Sequence, residues 1–155
     1  MKKYKVWCKN KKEWERNNVA LLPNGDLYDL DNKITVLRKT HDVLFNTGLE
    51  DTNNKGIYQE DIVRRNYYNG YCYLRIRQFH LKTIAEFLPE LPHEYVIGLK
   101  SWGDIDYYEL RELENYDLTI VGNTKEDPEL LGGKTEQFKF IDKVLDEGRD
   151  EDEDN

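Results

Sequence analysis

The chain has 155 residues, of which 38% are hydrophobic and 35% are charged, and its formal net charge is −8. A chain of this length buries roughly 68–70% of its unfolded surface, so it needs neither a metal nor a disulfide for stability. No apolar run approaches the ~18 residues of a membrane span and no signal-peptide core follows the first residues, so we expect a soluble cytoplasmic protein.

The N-terminal third carries three short apolar runs that predict β-strands, at residues 4–7, 19–22 and 34–37. The Pro-Asn-Gly-Asp sequence at residues 23–26 predicts a turn, because proline fixes φ and Asn-Gly tolerates positive φ. Eleven tyrosines also favour strands, since their rings suit half-buried sheet positions. Strands separated at such short intervals indicate a barrel or a sandwich rather than a βαβ fold.

The clearest element is a β-hairpin over residues 62–79, in which two strands flank Asn-Gly at residues 69–70. Asn-Gly between alternating segments is the strongest short-range hairpin signal. A two-residue loop at this position places Arg64 opposite Arg75. The turn therefore sets the predicted register of the whole hairpin.

One face of this hairpin combines arginines with tyrosines and is our candidate binding face. Its members are Arg64, Tyr68, Tyr71, Tyr73, Arg75 and Arg77. Arginines that follow phosphates and rings that stack on bases together bind single-stranded nucleic acid. The alternative is a solvated sheet face, with tyrosines covering the strands and arginines paired with acids. The opposite, more apolar face is expected to pack on the core and comprises Val63, Arg65, Tyr67, Cys72, Leu74 and Ile76.

Three segments follow the hairpin. Residues 83–88 predict a short helix, residues 95–99 a strand, and residues 104–113 fit both a helix and a strand, with the helix favoured.

The C-terminal part begins with a predicted strand at residues 118–121. Residues 127–131 predict a helix start, because Asp is a good N-cap and Pro suits the first helical position. Helical spacing returns at residues 138–145. Residues 146–155 hold seven acids and one arginine, which predicts a disordered acidic tail that solubilises the protein, recruits a partner or mimics nucleic acid.

The elements together predict a mainly β fold, a small barrel or twisted meander with short helices and a C-terminal helix. An α+β fold is the alternative. We expect one domain over residues 1–145, followed by the tail. Without residues 146–155 the net charge is only −2, so the body is nearly neutral.

Motifs for catalysis or cofactor binding are missing from the sequence. It contains no His or Cys pair at zinc spacing, no phosphate-binding glycine loop and no nucleophile elbow. Cys8 and Cys72 have neither a CxxC spacing nor a His/Cys cluster, so we expect reduced thiols. The sequence therefore predicts a protein that is not an enzyme and that holds no metal or cofactor.

Several motifs occur in an order that resembles the motif order of a known family. They are TGLED at residues 47–51, IYQEDIV at 57–63, VGN at 121–123, EDPELL at 126–131 and YKVW at 4–7. Together they resemble the YopX family, found mainly in phages and prophages of Gram-positive bacteria. The resemblance implies a mostly β fold, a phage or prophage origin and an uncharacterised role inside the bacterial host cell. It implies no reaction, cofactor or active site.

Two positions depart from the family pattern. Cys8 stands where the family usually has Asp, and Glu60 stands where it usually has Gly. Since Glu does not adopt positive φ cheaply, we expect a different turn before Asp61. The motifs themselves have local structural explanations as turns, helix caps and an Asp that binds backbone N–H groups.

Two functions remain open on the sequence alone. The first is a non-catalytic phage accessory protein that binds another protein or itself, as a homo-oligomer. The second is a single-stranded nucleic-acid-binding module that uses the arginine and tyrosine face. A near-neutral body gives little electrostatic drive for nucleic acid, which favours the first.

Overall fold

The computed structural model describes residues 3–36, 38–66, 70–88 and 98–132. The chain divides into two compact units, residues 1–46 and 47–155, which we call the first and the second unit. The single domain expected over residues 1–145 stays a prediction, because two compact units can still unfold as one cooperative domain.

β-Strands dominate the described residues. They are β1 Tyr4–Cys8, β2 Glu13–Trp14, β3 Val19–Leu21, β4 Leu27–Asp29, β5 Ile34–Val36, β6 His41–Glu50, β7 Gly56–Tyr58, β8 Asp61–Asn66, β9 Tyr71–Phe79, β10 Lys82–Phe87, β11 Lys100–Trp102, β12 Ile105–Glu109 and β13 Asp117–Asn123. Short 3₁₀ helices lie at Arg38–Thr40, Leu110–Leu113 and Pro128–Gly132. Within the described ranges no helix reaches seven residues, and the prediction of a mainly β fold is confirmed.

In the first unit, β1 pairs antiparallel with β2 on one side and with the first half of β6 on the other. A separate antiparallel sheet has the order β3-β4-β5. Val6, Leu27 and Val43 form the buried core of this unit, and Tyr4 packs against it. The three strands predicted from the apolar runs are all present.

In the second unit, six antiparallel strands form a sheet in the order β11-β12-β10-β9-β8-β13. The core on one face of β8 and β9 is apolar, as the alternation predicts. Its buried members are Ile57, Val63, Cys72, Leu74, Ile76, Ala85, Phe87, Tyr108, Leu113 and Leu118.

The register of β8 and β9 differs from the prediction by two residues. Arg64 pairs with Tyr73 and not with Arg75, and Asn66 pairs with Tyr71. A shift of two residues leaves every side chain on its predicted face, so the alternation of apolar residues cannot distinguish the two registers. Only the Asn-Gly signal chose between the two registers, and the register that it predicted is wrong.

Two predicted helices are strands. Residues 83–88 belong mostly to β10, whose backbone pairs with β9 and β12 on its two sides. Residues 104–113 form β12 and then the 3₁₀ helix Leu110–Leu113. Sheet pairing on both sides outweighs the weak helical propensity of such short segments. The helix start at residues 127–131 is present as the 3₁₀ helix Pro128–Gly132.

Several predictions lie outside the described residues. They concern Leu37 of the strand predicted at 34–37, Tyr67 and Tyr68 of the predicted hairpin, most of the predicted strand at 95–99, the predicted helix at 138–145 and the predicted acidic tail at 146–155.

Candidate functional site

The arginine and tyrosine face predicted on β8 and β9 is buried at its centre. Arg64 and Tyr73 are 0% exposed. The ring of half-buried Tyr71 lies with its centroid 3.7 Å from Arg64 Cζ, and Tyr73 clusters with Ile62 and Leu130. The prediction of an open face is therefore wrong at Arg64 and Tyr73, because a second layer of side chains covers what we expected to be the outer surface.

The other two arginines of this face are half-buried and form ion pairs. Arg75 donates from Nε and Nη2 to Glu60 Oε2 at 3.0 and 2.8 Å. Arg77 donates from Nη1 to Glu86 Oε2 at 2.8 Å. At these two positions the structure matches the alternative in which the arginines pair with acids. Their charges are matched by carboxylates, which weakens any electrostatic attraction of phosphates to this face.

Glu60 adopts the left-handed conformation, with φ 70°, directly before β8. The expectation that Glu avoids positive φ at this position is wrong. The side chain is held by Arg75 and by a short hydrogen bond from Thr124 Oγ1, and the backbone carbonyl accepts the Thr124 N–H at 2.9 Å. These contacts offset the ~1–2 kcal/mol that the left-handed region costs a residue with a Cβ.

The first family-like motif holds the loop between β6 and β7. Thr47 Oγ1 donates to the Ile57 carbonyl at 2.7 Å. Buried Asp51 accepts the Lys55 N–H at 2.9 Å and the Ile120 N–H at 3.2 Å through its two carboxylate oxygens. The carboxylate therefore closes a turn and connects it to β13, which is a structural role.

The second motif carboxylate belongs to Asp61, which is also buried. Its Oδ2 accepts the Tyr58 N–H at 2.8 Å, and its Oδ1 accepts Asn123 Nδ2 at 2.9 Å. The sequence-based interpretation of Asp61 as a turn residue that binds backbone N–H groups is confirmed. The same contact ties the start of β8 to the end of β13.

Gly122 allows the C-terminal motif to pack closely on β13. A Cβ at this position would overlap Leu130 Cδ1 and approach Asp127 Oδ2 at 3.3 Å. Leu130 is 0% exposed and packs with Ile62 of β8, whereas Leu131 is 38% exposed. These motif residues therefore have structural roles in turns and in packing.

An exposed group of apolar and aromatic side chains, which we call the aromatic tip, lies at the β9–β10 turn and on β11. It consists of Phe79, His80, Leu81 and Trp102. Trp102 lies with its ring centroid 6.3 Å from that of Phe79 and 6.0 Å from that of His80, both in edge-to-face geometry. Leu81 is 99% exposed and Trp102 is 62% exposed. Large apolar side chains grouped on a surface indicate an interaction site.

Charged side chains adjoin the aromatic tip around Glu109. Its carboxylate lies 3.7 Å from Lys82 Nζ, 3.3 Å from Lys100 Nζ and 3.0 Å from Arg111 Nε, and Lys100 also lies 2.9 Å from Glu112. The hydrogen bond to Glu112 is the main cause that raises the pKa of Lys100, and the bond from Lys100 lowers the pKa of Glu109. Both shifts favour the charged forms of Lys100 and Glu109.

Sequence reasoning missed the aromatic tip because it predicted a helix at residues 83–88. If residues 83–88 were a helix, residues 80–81 would not form a two-residue turn, and the exposure of Leu81 could not be predicted. The pairing of Phe79 with Lys82 makes residues 80–81 the turn of a hairpin, and no Gly, Pro, Asn or Asp marks that turn in the sequence.

Within the described ranges no group of three or more His, Cys, Asp or Glu side chains is placed to hold a metal ion. Cys8 and Cys72 are buried free thiols, as predicted. Among the helices in the described part of the chain, none has the length and apolar character needed to cross a membrane.

The fold and these contacts define a mostly β protein whose family-like motifs form buried turns. The chain belongs to the YopX family: the model of the YopX protein family matches residues 3–132, which confirms the resemblance seen in the motifs. The crystal structure of protein EF1440 from Enterococcus faecalis is similar to this chain, at 17% identity and a TM-score of 0.49 over 83% of this chain and 96% of that one. No curated protein matches the chain.

Proposed function

We propose that this YopX-family chain is a non-catalytic accessory protein of a phage or prophage, which acts in the bacterial cytoplasm by binding another protein through the aromatic tip. The observation that supports the proposal is the exposure of Leu81, at 99%, directly after His80, whose ring centroid lies 6.0 Å from that of Trp102, itself 62% exposed. Neither side chain contributes to a core, so their burial by a partner is available as binding free energy.

The size of that free energy is sufficient for recognition. Full burial of one Leu-sized side chain contributes roughly 1.5–3 kcal/mol. Tryptophan is among the residues most enriched at the energetic centre of interfaces. The Trp102 ring is positioned in advance by Phe79 and His80, so binding loses little side-chain entropy there.

The shape and charge of the tip restrict the partner. Leu81 lies in the two-residue turn after Phe79, which pairs with Lys82, so it projects from the end of a hairpin and fits a concave apolar site. Lys82 and Arg111 are 71% and 78% exposed, whereas Glu109 is 21% exposed. On the side of Lys82 and Arg111 the outward charge is therefore positive, and an acidic rim on that side of the partner's apolar site complements it, whereas exposed Asp104 follows Trp102 on the other side.

Self-association belongs to the same proposal. We expect the purified chain to form a homo-oligomer, and size-exclusion chromatography with light scattering measures its mass directly. A dimer or larger species supports self-binding. A strict monomer contradicts this part and leaves a different protein as the partner.

The decisive experiment compares three immobilised proteins in extracts of Gram-positive cells during phage infection. They are the unchanged chain, the tip variant Leu81→Ser/Trp102→Ala, and a control variant Leu30→Ser/Ile34→Ser. The control removes two apolar side chains of similar exposure, 52% and 55%, from the first unit. We expect a protein that the unchanged chain and the control retain and that the tip variant loses.

Any such protein is then purified and titrated by calorimetry. We expect the tip variant to bind at least about 30-fold more weakly, which corresponds to about 2 kcal/mol at an interface centre. If the tip variant and the unchanged chain retain the same proteins with the same affinity, the aromatic tip is not the binding site.

A further inference from the structure

The first unit contains a cavity of about 530 Å³ beside β1. Its walls are the start of β1 from Lys3 to Val6, the end of β2 at Trp14 and the segment from Glu15 to Val19. This volume falls in the range of roughly 300–1,000 Å³ that is typical of ligand sites. The cavity belongs to the first unit and shares no residue with the aromatic tip.

Along this cavity, the edge of β1 that faces away from β6 is paired only in part. β2 pairs with β1 only at Trp7 and Cys8, and the Glu15 N–H reaches the Val6 carbonyl at 2.8 Å before the chain leaves the edge. No described strand continues this pairing at Tyr4.

The direction of the Tyr4 backbone groups follows from their neighbours. The Lys3 carbonyl accepts the Asn46 N–H, so odd-numbered residues of β1 point toward β6. Successive residues of a strand point their N–H and C=O groups to opposite edges, so Tyr4 and Val6 point away from β6 and toward the cavity. The Val6 carbonyl bonded to Glu15 agrees with this direction. The cavity therefore exposes a donor and an acceptor of Tyr4 at the spacing of a β-ladder.

The side chains around this edge are held in place. Tyr4 Oη donates to the Val19 carbonyl at 3.1 Å and accepts the Leu21 N–H at 3.2 Å, which fixes the apolar floor. Trp14 lies in edge-to-face contact with Trp7 at 5.0 Å between ring centroids. A preformed apolar floor and a fixed ring reduce the ordering cost of binding.

The charges on the cavity wall are mainly positive. Lys3 and Lys5 follow the same face of β1, and Lys5 Nζ lies 5.4 Å from the Trp14 ring centroid. The single carboxylate on the wall belongs to Glu15, which accepts the Asn17 N–H at 3.2 Å and lies 3.6 Å from His41 Nε2. Among the lining residues the two lysines outnumber this carboxylate, so the wall carries a net positive charge that favours an acidic ligand.

We propose that the cavity binds an extended acidic peptide segment of a partner protein, which adds a short strand to the free edge of β1. The backbone N–H and C=O of Tyr4 supply the alignment, since the Val6 carbonyl is already bonded to the Glu15 N–H, and acidic side chains at alternate positions lie against Lys3 and Lys5. The intervening side chains are apolar and face the floor formed by Tyr4 and Val19. Strand addition to an open sheet edge is a recurrent mode of peptide recognition.

The test uses a six-residue peptide of alternating Glu and Val, blocked at both ends, with three comparison probes. The first comparison peptide carries Lys in place of each Glu, the second carries N-methyl groups on alternate backbone amides, and the third probe is a single-stranded hexanucleotide. Amide chemical shifts and hydrogen exchange of the full chain are followed by NMR during each titration. We expect saturable shifts at Tyr4 and, through proximity, at Val6, and slower exchange of the Tyr4 amide, with the Glu/Val peptide alone.

Two protein variants separate a specific site from general attraction. The variant Lys3→Gln/Lys5→Gln removes the two positive charges of the wall. We expect it to weaken binding about five- to tenfold, because two surface ion pairs together contribute about that much to the affinity. Lys33→Gln removes an exposed lysine of the same unit outside the cavity and is expected to bind as the unchanged chain does.

Four outcomes overturn the proposal. They are the absence of shifts at Tyr4 and Val6, equal binding of the N-methylated peptide, equal binding of the Lys peptide, and equal or tighter binding of the hexanucleotide. Equal effects of Lys33→Gln and the cavity variant also contradict it. None of these results depends on the aromatic tip, so the proposed function and the β1 site fail or hold separately.

Discussion

The two hairpins that share strand β9 differ in how their side chains meet solvent. On the β8–β9 hairpin, β8 is buried on both faces and Arg64 and Tyr73 are 0% exposed, whereas Arg75 and Arg77 are half-buried. On the β9–β10 hairpin, the turn leaves Leu81 99% exposed beside Trp102. The sequence of the first hairpin carries the stronger signal for a binding surface, whereas the exposed surface lies on the second. Alternation identifies the two faces of a strand, but a second layer of residues decides which face is covered.

The largest expected effect comes from Arg64. Replacing it by alanine should lower the free energy of unfolding by about 3 kcal/mol, because it removes a fully buried side chain that packs on Tyr71. Urea unfolding measures the change. Arg111→Ala is the matched control: its side chain is 78% exposed, and we expect a change within about 0.5 kcal/mol. Equal small effects of the two variants would show that the β8–β9 face is not a buried layer.

A second prediction concerns the close packing at Gly122. Gly122→Ala should destabilise the protein by about 1–3 kcal/mol, because the added Cβ overlaps Leu130. The double variant Gly122→Ala/Leu130→Ala is the control, since it removes the overlapping methyl group. We expect the double variant to be more stable than the sum of the single effects predicts, and strict additivity contradicts the proposed overlap.

The third prediction uses the positive φ of Glu60. Both Glu60→Ala and Glu60→Gly remove the pairing with Arg75, but only glycine also relieves the left-handed strain. We therefore expect Glu60→Gly to be about 1 kcal/mol more stable than Glu60→Ala in chemical denaturation. An alanine variant as stable as the glycine variant is inconsistent with the observed backbone conformation.

A fourth prediction is the acid response of the first unit. Hydrogen bonds from Asn17 first, and then from Asn32 and the Asp31 N–H, lower the pKa of Asp29 from 3.8 to about 2. Because the folded pKa lies below the unfolded one, the stabilisation by Asp29 is complete above about pH 4 and is lost as the pH falls through about 2. NMR titration of the Asp29 carboxyl measures the pKa, and Asp29→Asn should remove this part of the pH dependence of unfolding. A midpoint near 3.8 contradicts the hydrogen-bond network.

The smallest effect on stability is expected at the aromatic tip. Leu81→Ser/Trp102→Ala should change the free energy of unfolding by less than about 1 kcal/mol, because Leu81 is almost fully exposed and Trp102 mostly so. Differential scanning calorimetry checks this. A loss of several kcal/mol assigns the tip to the core and removes the reason to treat it as a binding surface.

Much of the fold follows from local sequence. The strands at residues 4–7, 19–22 and 118–121 were predictable because apolar alternation and turn residues agree there. The structural role of Asp61 also follows from its position before Ile-Val, since a turn carboxylate next to a strand finds backbone donors nearby.

The remainder depends on contacts between distant segments. The register of β8 and β9 was not predictable from alternation, since registers two residues apart preserve the same faces. β10 has a helix-compatible sequence and becomes a strand because β9 and β12 pair with both of its edges. The aromatic tip follows from that pairing, so an error in one element hid the candidate site.

The most direct measurement applies two assays to the same protein preparations. Thermal unfolding and retention of the partner protein are compared between Leu81→Ser/Trp102→Ala and Arg64→Ala. We predict that the tip variant keeps its melting temperature and loses the partner, whereas the arginine variant melts several degrees lower. A tip variant that retains the partner, or an Arg64 variant with an unchanged melting temperature, contradicts the division between a buried hairpin and an exposed binding tip.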